Sequence, residues 1–211
     1  MKRAINTRTA FSKTFDRFDF KGVWKDVFGK AIKNGVWIVF GPEKHGKTWF
    51  SIMLADYLSN FEKVLYISAE EGMEGEFIEA MKRAQVDPSN TSLLWQEYVP
   101  LDELYEILER RQAPQVVFVD NVTVYKDELS YGGFQKLWRA FPKTLFVFVA
   151  HEERNEPYTA TAKMIKRLSK IIIRIQGLTC FISGRCPGGT LMIDEGKSKL
   201  YHGNDIADNA Q

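Results

Sequence analysis

The run Gly41-Pro42-Glu43-Lys44-His45-Gly46-Lys47-Thr48 places two glycines, a lysine and a hydroxyl in the pattern Gly-x-x-x-x-Gly-Lys-(Ser/Thr). Glycines at this spacing let backbone N–H groups turn inward around an anion, and a helix starting beside them points its positive end at the same charge. In such a loop Lys47 would reach the outer phosphates of a nucleotide, and the Thr48 hydroxyl would ligate Mg2+. The binding segment is read as residues 41–48, with Trp49 adjoining it. A second group follows downstream, where the apolar stretch Gln115-Val116-Val117-Phe118-Val119 ends in Asp120. A carboxylate at that strand end can hold Mg2+ through water; it can equally cap a turn.

These groups need a frame, and the chain supplies one. Short apolar, β-rich runs at Val36–Phe40, Val64–Ser68, Leu93–Trp95, Val116–Val119 and Leu145–Ala150 alternate with helical patterns at Thr48–Ser59, Gly72–Ala84 and Leu101–Arg111. That alternation predicts an α/β protein with a mostly parallel central sheet flanked by helices. The phosphate-binding pattern falls between a strand and a helix, where it is required. After Ile171 the pattern turns to strand-like pieces at Ile171–Ile175, Leu178–Ser183, Thr190–Asp194 and Lys199–His202, read as an antiparallel extension of the sheet.

With 211 residues the chain has room for about one domain, expected over residues 21–211 behind a basic N-terminal arm at 1–20. Hydrophobic residues make up 45% and charged residues 27%, which excludes a disordered or disulfide-stapled chain. The net charge of +2 hides an asymmetry. Residues 1–33 hold nine Lys and Arg against three Asp, residues 61–112 are acidic, and Lys163, Lys166, Arg167, Lys170 and Arg174 lie together without an acid. Cys180 and Cys186 have neither redox nor zinc spacing and are expected as free thiols. No apolar run is long enough to span a membrane, and no secretory signal is read at the start, so a cytoplasmic location is expected.

Three further features carry a family resemblance. Tyr66-Ile67-Ser68-Ala69-Glu70-Glu71 sets an acid pair after the second strand, while Asn121, not glutamate, follows Asp120. This arrangement resembles the RecA-like ATPases, in the branch holding RecA, DnaB-type and RepA-type helicases and KaiC. The resemblance covers roughly residues 20 to 203. It implies ATP and Mg2+ as ligands, and Glu70, or Glu70 shared with Glu71, as the residue that polarises the attacking water. Read alone, the pair could simply open an acidic helix. Phe146-Val147-Phe148-Val149-Ala150-His151 is similar to the family's strand ending in a γ-phosphate sensor, which implies that role for His151. Ser183-Gly184-Arg185-Cys186-Pro187-Gly188-Gly189 is similar to a turn whose arginine reaches a neighbouring subunit's ATP site. Arg185 matches that arginine, and Ser183 stands where a lysine is common.

The same resemblance implies a homo-oligomer, as a ring or filament, and single-stranded DNA as partner. Lys163, Lys166, Arg167 and Lys170 recur at spacings of three and four, which would put positive charge on one helical face able to neutralise phosphates; a merely solvated face has the same pattern. Tyr131 and Phe134 beside Gly132-Gly133 could stack bases or start a helix. Phe11, Phe15 and Phe18 at i, i+4 and i+7 would form an apolar stripe on a helical arm. The reading is an ATPase coupled to DNA processing, of helicase, recombinase or accessory type. A KaiC-like regulatory ATPase acting on protein partners is the alternative, and a metabolic kinase is weaker because no acceptor-binding insertion or lid is evident.

Overall fold

Strands that stay apolar on both faces require cover on both sides, and the fold provides it. The computed structural model describes residues 4–203; residues 1–3 of the expected arm and 204–211 of the expected domain lie outside the described residues. In chain order the elements are α1 (Thr7–Phe11), α2 (Gly22–Phe28), β1 (Gly35–Gly41), α3 (Lys47–Ser59), β2 (Val64–Ser68), α4 (Gly75–Arg83), β3 (Leu93–Glu97), α5 (Leu101–Glu109) and β4 (Val116–Asp120). They continue as α6 (Lys126–Leu129), α7 (Gly133–Ala140), β5 (Leu145–Glu153), β6 (Glu156–Pro157), α8 (Ala160–Leu168), β7 (Ile171–Gln176), β8 (Thr179–Gly184), β9 (Gly189–Met192) and α9 (Glu195–His202).

The main sheet runs β3-β2-β4-β5-β1-β7-β8-β9, parallel through β7 and antiparallel at β8 and β9. Successive residues of β1 face opposite layers. Trp37 and Val39 enter one core with α2, α3 and α4, while Val36, Ile38 and Phe40 enter the other with α5, α7 and α8. This period of two explains why the strand reads as an unbroken apolar run. In the order β2-β4-β5-β1 the carboxyl ends share one edge, so groups following these strands are brought together there.

Two expected elements differ. Lys199–His202 belongs to helix α9, not to a strand. Asp194 caps it by accepting from the Lys197 N–H at 3.0 Å, and Glu195 pairs with Lys199 one turn on. The phenylalanine stripe does not form either, because the helix stops at Phe11. Phe11 and Phe15 are exposed, whereas Phe18 and Phe20 are about 1% exposed and stack at 4.9 Å within the aromatic cluster around Phe28, Trp37 and Phe61. From Arg17 onward the segment is anchored to the core, with the Phe18 N–H donating to Ala31 O at 2.9 Å.

A consequence can be measured. Deleting residues 1–14 is expected to leave the melting temperature within a few degrees, whereas deleting 1–20 strips two buried rings and is expected to lower it by about 10 °C or more. Equal melting temperatures for the two truncations would contradict this packing.

Candidate functional site

The sharp turn after β1 is built by glycine where a side chain would not fit. A Cβ on Gly41 would meet the Ile175 carbonyl oxygen at 2.1 Å, and Gly46 sits at φ +98° with its would-be Cβ 2.5 Å from Leu178. The loop is braced from β7–β8, where Gly177 N–H donates to His45 Nδ1 at 2.9 Å and Leu178 N–H to the His45 carbonyl at 3.3 Å. Burial and the nearby Lys47 push the His45 pKa down, which favours the neutral ring whose Nδ1 accepts that bond. From Lys47 the chain enters α3, a helix of 13 residues whose N-terminus faces the loop.

Lys47 is buried, and its Nζ donates to Pro42 O at 2.7 Å across the loop. Burial lowers its pKa, opposed by the carboxylates of Asp120, Glu70 and Glu43. Register puts Asp120 beside Ser68 of β2 and Val149 of β5. Its carboxylate accepts from the buried Tyr66 hydroxyl at 2.5 Å, and the Asp120–Asn121 peptide bond is cis. Burial drives the Asp120 pKa up to about 7, against the Tyr66 hydrogen bond; Glu71 and Glu70 push the same way as burial.

The acid pair does not open a helix. α4 begins at Gly75, and Glu70 and Glu71 lie in the turn before it, facing the loop. Thr48 Oγ1 donates to Glu71 Oε1 at 3.3 Å. Glu70 is gripped at both oxygens: His151 Nε2 lies 3.1 Å from Oε1, and Asn121 Nδ2 donates to Oε2. The His151 hydrogen bond holds the Glu70 pKa down, while burial raises that of Glu71. The His151 pKa is raised by Glu70 against burial. His151 reaches this position because β5 lies between β1 and β4, with His151 level with Gly41. Asn121 is visible in the sequence only as a missing glutamate; its position directly after Asp120 is the available signal.

Lys47, Thr48, Asp120, Glu70, Glu71 and His151 therefore line one cleft of about 1090 Å³. Its outer wall carries Trp49, with Arg83 and Lys197 5.4 and 5.6 Å from the ring centre. A buried carboxylate, a hydroxyl and a glycine cradle whose Cβ space is filled by neighbours fit a triphosphate with Mg2+, an ion usually held by one or two protein oxygens plus phosphates. When bound, Mg2+ would neutralise charge on the phosphates; Thr48 and Asp120 would hold it.

No protein-family model matches the chain. The DNA repair protein RadA of Aquifex aeolicus is 29% identical over 160 residues, covering 71% of this chain and 35% of that protein. The chain thus spans about a third of the length of this curated relative. Flagellar accessory protein FlaH from Methanocaldococcus jannaschii superposes with TM-score 0.57 at 19% identity, covering 83% of this chain and 91% of that one. A second solved structure, that of an isolated ATPase domain, gives 0.53 at 12% identity, covering 79% and 83%. The chain shares the fold of these two solved structures.

Other expected site residues lie apart from the cleft. Gly184 pairs with Ile171, which pairs with Trp37, so Arg185 stands at the opposite sheet edge, roughly 13 Å of strand rise from Gly41. It is exposed and does not line its own chain's cleft. The basic group does not form one helical stripe. Lys163 and Arg167 are exposed on α8, but Lys166 pairs with Glu156 at 2.8 Å, and Lys170, beyond the helix, donates to Asn34 O and Oδ1 at 2.7 and 2.8 Å. Phe134 is buried as the start of α7, leaving Tyr131 as the exposed ring. Cys180 and Cys186 are free, and among the described residues no helix is long and apolar enough to cross a membrane.

The raised Asp120 pKa yields a signed expectation. The folded state keeps a proton that the unfolded chain releases near pH 4, so this group's contribution to stability falls as pH rises from about 4 to 7. Without nucleotide or Mg2+, Asp120→Asn is expected to exceed wild type in stability at pH 8, by on the order of 1–4 kcal/mol, with the gap closing toward pH 5. Urea unfolding at both pH values checks this, and a gap independent of pH would refute it.

Proposed function

We propose that the cleft binds and hydrolyses Mg2+-ATP and that hydrolysis is coupled to single-stranded DNA within a homo-oligomer. The observation that carries the hydrolytic reading is the convergence of Lys47, Thr48, Asp120, Glu70 and His151 on one sheet edge. Lys47 and the α3 N-terminus hold the phosphates, Thr48 and Asp120 hold the metal ion, and Glu70 takes a proton from the attacking water. Arg185, too distant to serve its own loop, acts on the cleft of a neighbouring copy, where a guanidinium stabilises transition-state charge.

DNA coupling is supported by the similarity to a protein named for DNA repair and by the exposed cations Lys163 and Arg167 and the exposed ring of Tyr131. Helicase, recombinase or accessory roles, with a phage or plasmid setting, all fit this coupling. One observation favours the second reading, a regulatory ATPase acting on protein partners: Lys166 and Lys170 spend their charge inside the chain. Phosphate release measured with and without single-stranded DNA at low and high salt separates the two. DNA coupling predicts stimulation that fades with salt; a rate indifferent to DNA, with no salt-sensitive binding, sinks it.

A further inference from the structure

We infer that Asn121 is the positioning residue that fixes the Glu70 carboxylate for water activation, an inference that rests on Glu70 being the base proposed above. Glu70 needs such a partner. Its side chain is 45% exposed, on a turn past the end of β2, and a flexible carboxylate there would sample many orientations. Asn121 is 1% exposed and rigidly seated, with its Oδ1 accepting the Thr123 N–H at 2.7 Å. That bond fixes which end of the amide faces the cleft and leaves Nδ2 to donate to Glu70 Oε2.

Sheet order makes this position special. β4 lies between β2 and β5, so the residue directly following β4 stands between Glu70 and His151 and reaches both. His151 is the less constant partner. Its Nε2 lies 3.1 Å from Glu70 Oε1 and 2.8 Å from Asn121 Nδ2. One ring nitrogen cannot donate to the carboxylate and accept from the amide at once. With Nε2 protonated, the ring donates to Glu70, and that hydrogen can be redirected to another anion in the cleft. The Asn121 amide carries two N–H hydrogens, so one can stay on Oε2 whether the other meets His151 Nε2 or not. Asn121 itself touches no reacting atom; it acts through Glu70.

Two substitutions separate positioning from a structural role at the turn. Asn121→Asp keeps the shape and the acceptor for the Thr123 N–H but removes the donor; Asn121→Ala removes both. Steady-state phosphate release, affinity for a fluorescent ATP analogue and melting temperature are measured for both, alone and combined with Glu70→Gln. In both variants kcat is expected to fall about 10–100-fold, and in Asn121→Ala, which adds no charge beside Glu70, nucleotide affinity is expected to stay within about twofold of wild type. In the Glu70→Gln background either change is expected to add no further loss, because the two residues act as one unit.

Wild-type kcat in Asn121→Asp overturns the inference. So does a loss of kcat in Asn121→Ala matched by equal losses of nucleotide affinity or stability, which marks a structural role. Absent turnover in wild type, or normal turnover in Glu70→Gln, overturns the hydrolytic reading and this inference with it.

Discussion

Lys47→Ala is expected to abolish hydrolysis and to weaken nucleotide affinity at least about 100-fold, close to 3 kcal/mol. The expectation follows from where the ammonium sits. Lys47 is buried at the foot of the loop, its Nζ is held by the Pro42 carbonyl, and it makes no ion pair within 4 Å among the described residues. Burying a cation without a carboxylate partner is costly, as its lowered pKa reflects, and a phosphate in the loop would supply the missing negative charge. Removing the ammonium would leave Asp120, Glu70 and Glu71 to repel a triphosphate. Titration of a fluorescent nucleotide into the two proteins provides the measurement, with wild-type affinity in the variant as the result that would remove Lys47 from the site.

Glu70→Gln has the opposite profile: nucleotide affinity is expected to remain near wild type while turnover falls about 10³-fold. The glutamine retains the length of the side chain and an oxygen able to accept from Asn121 or His151, so the surroundings need not rearrange. It cannot take a proton from water. Hydrogen bonds from His151 and Asn121 hold the Glu70 pKa down, whereas Glu71 is raised by burial and engages Thr48. Those environments favour Glu70 as the ionised base. Parallel measurements of binding and phosphate release decide the point, and undiminished turnover would transfer the role to Glu71.

Much of the fold is legible in the sequence because the signals are local. The apolar run Val64–Ser68 has the bounds of β2, and the other parallel strands differ only at their ends, where edge residues such as Asp120 and His151 continue the pairing although their side chains are polar. The last helix reads as a strand because Leu200 and Tyr201 resemble a strand fragment, while the decisive signal is the Asp194 cap five residues upstream of Lys199. The arm reads as one helical stripe because the spacing of Phe11, Phe15 and Phe18 says nothing about which ring the core will accept. The aromatic cluster takes Phe18 together with Phe20, and that pair follows strand-like spacing.

The sequence by itself determined the glycine-rich loop between the first long strand and its helix, the carboxylate ending an apolar strand, the acid pair and the alternation of strands with helices. Each depends on spacings of one to eight residues, which backbone geometry converts directly into local structure. The tertiary structure alone decided which residues would meet across the sheet. Glu70, Asn121 and His151 come together because β4 lies between β2 and β5, His45 is braced because the β7–β8 turn lies beside the loop, and Lys166 and Lys170 find partners inside the chain. Sheet order is set by how whole elements cover one another's apolar faces, so it is a property of the packed chain and has no counterpart in any short segment.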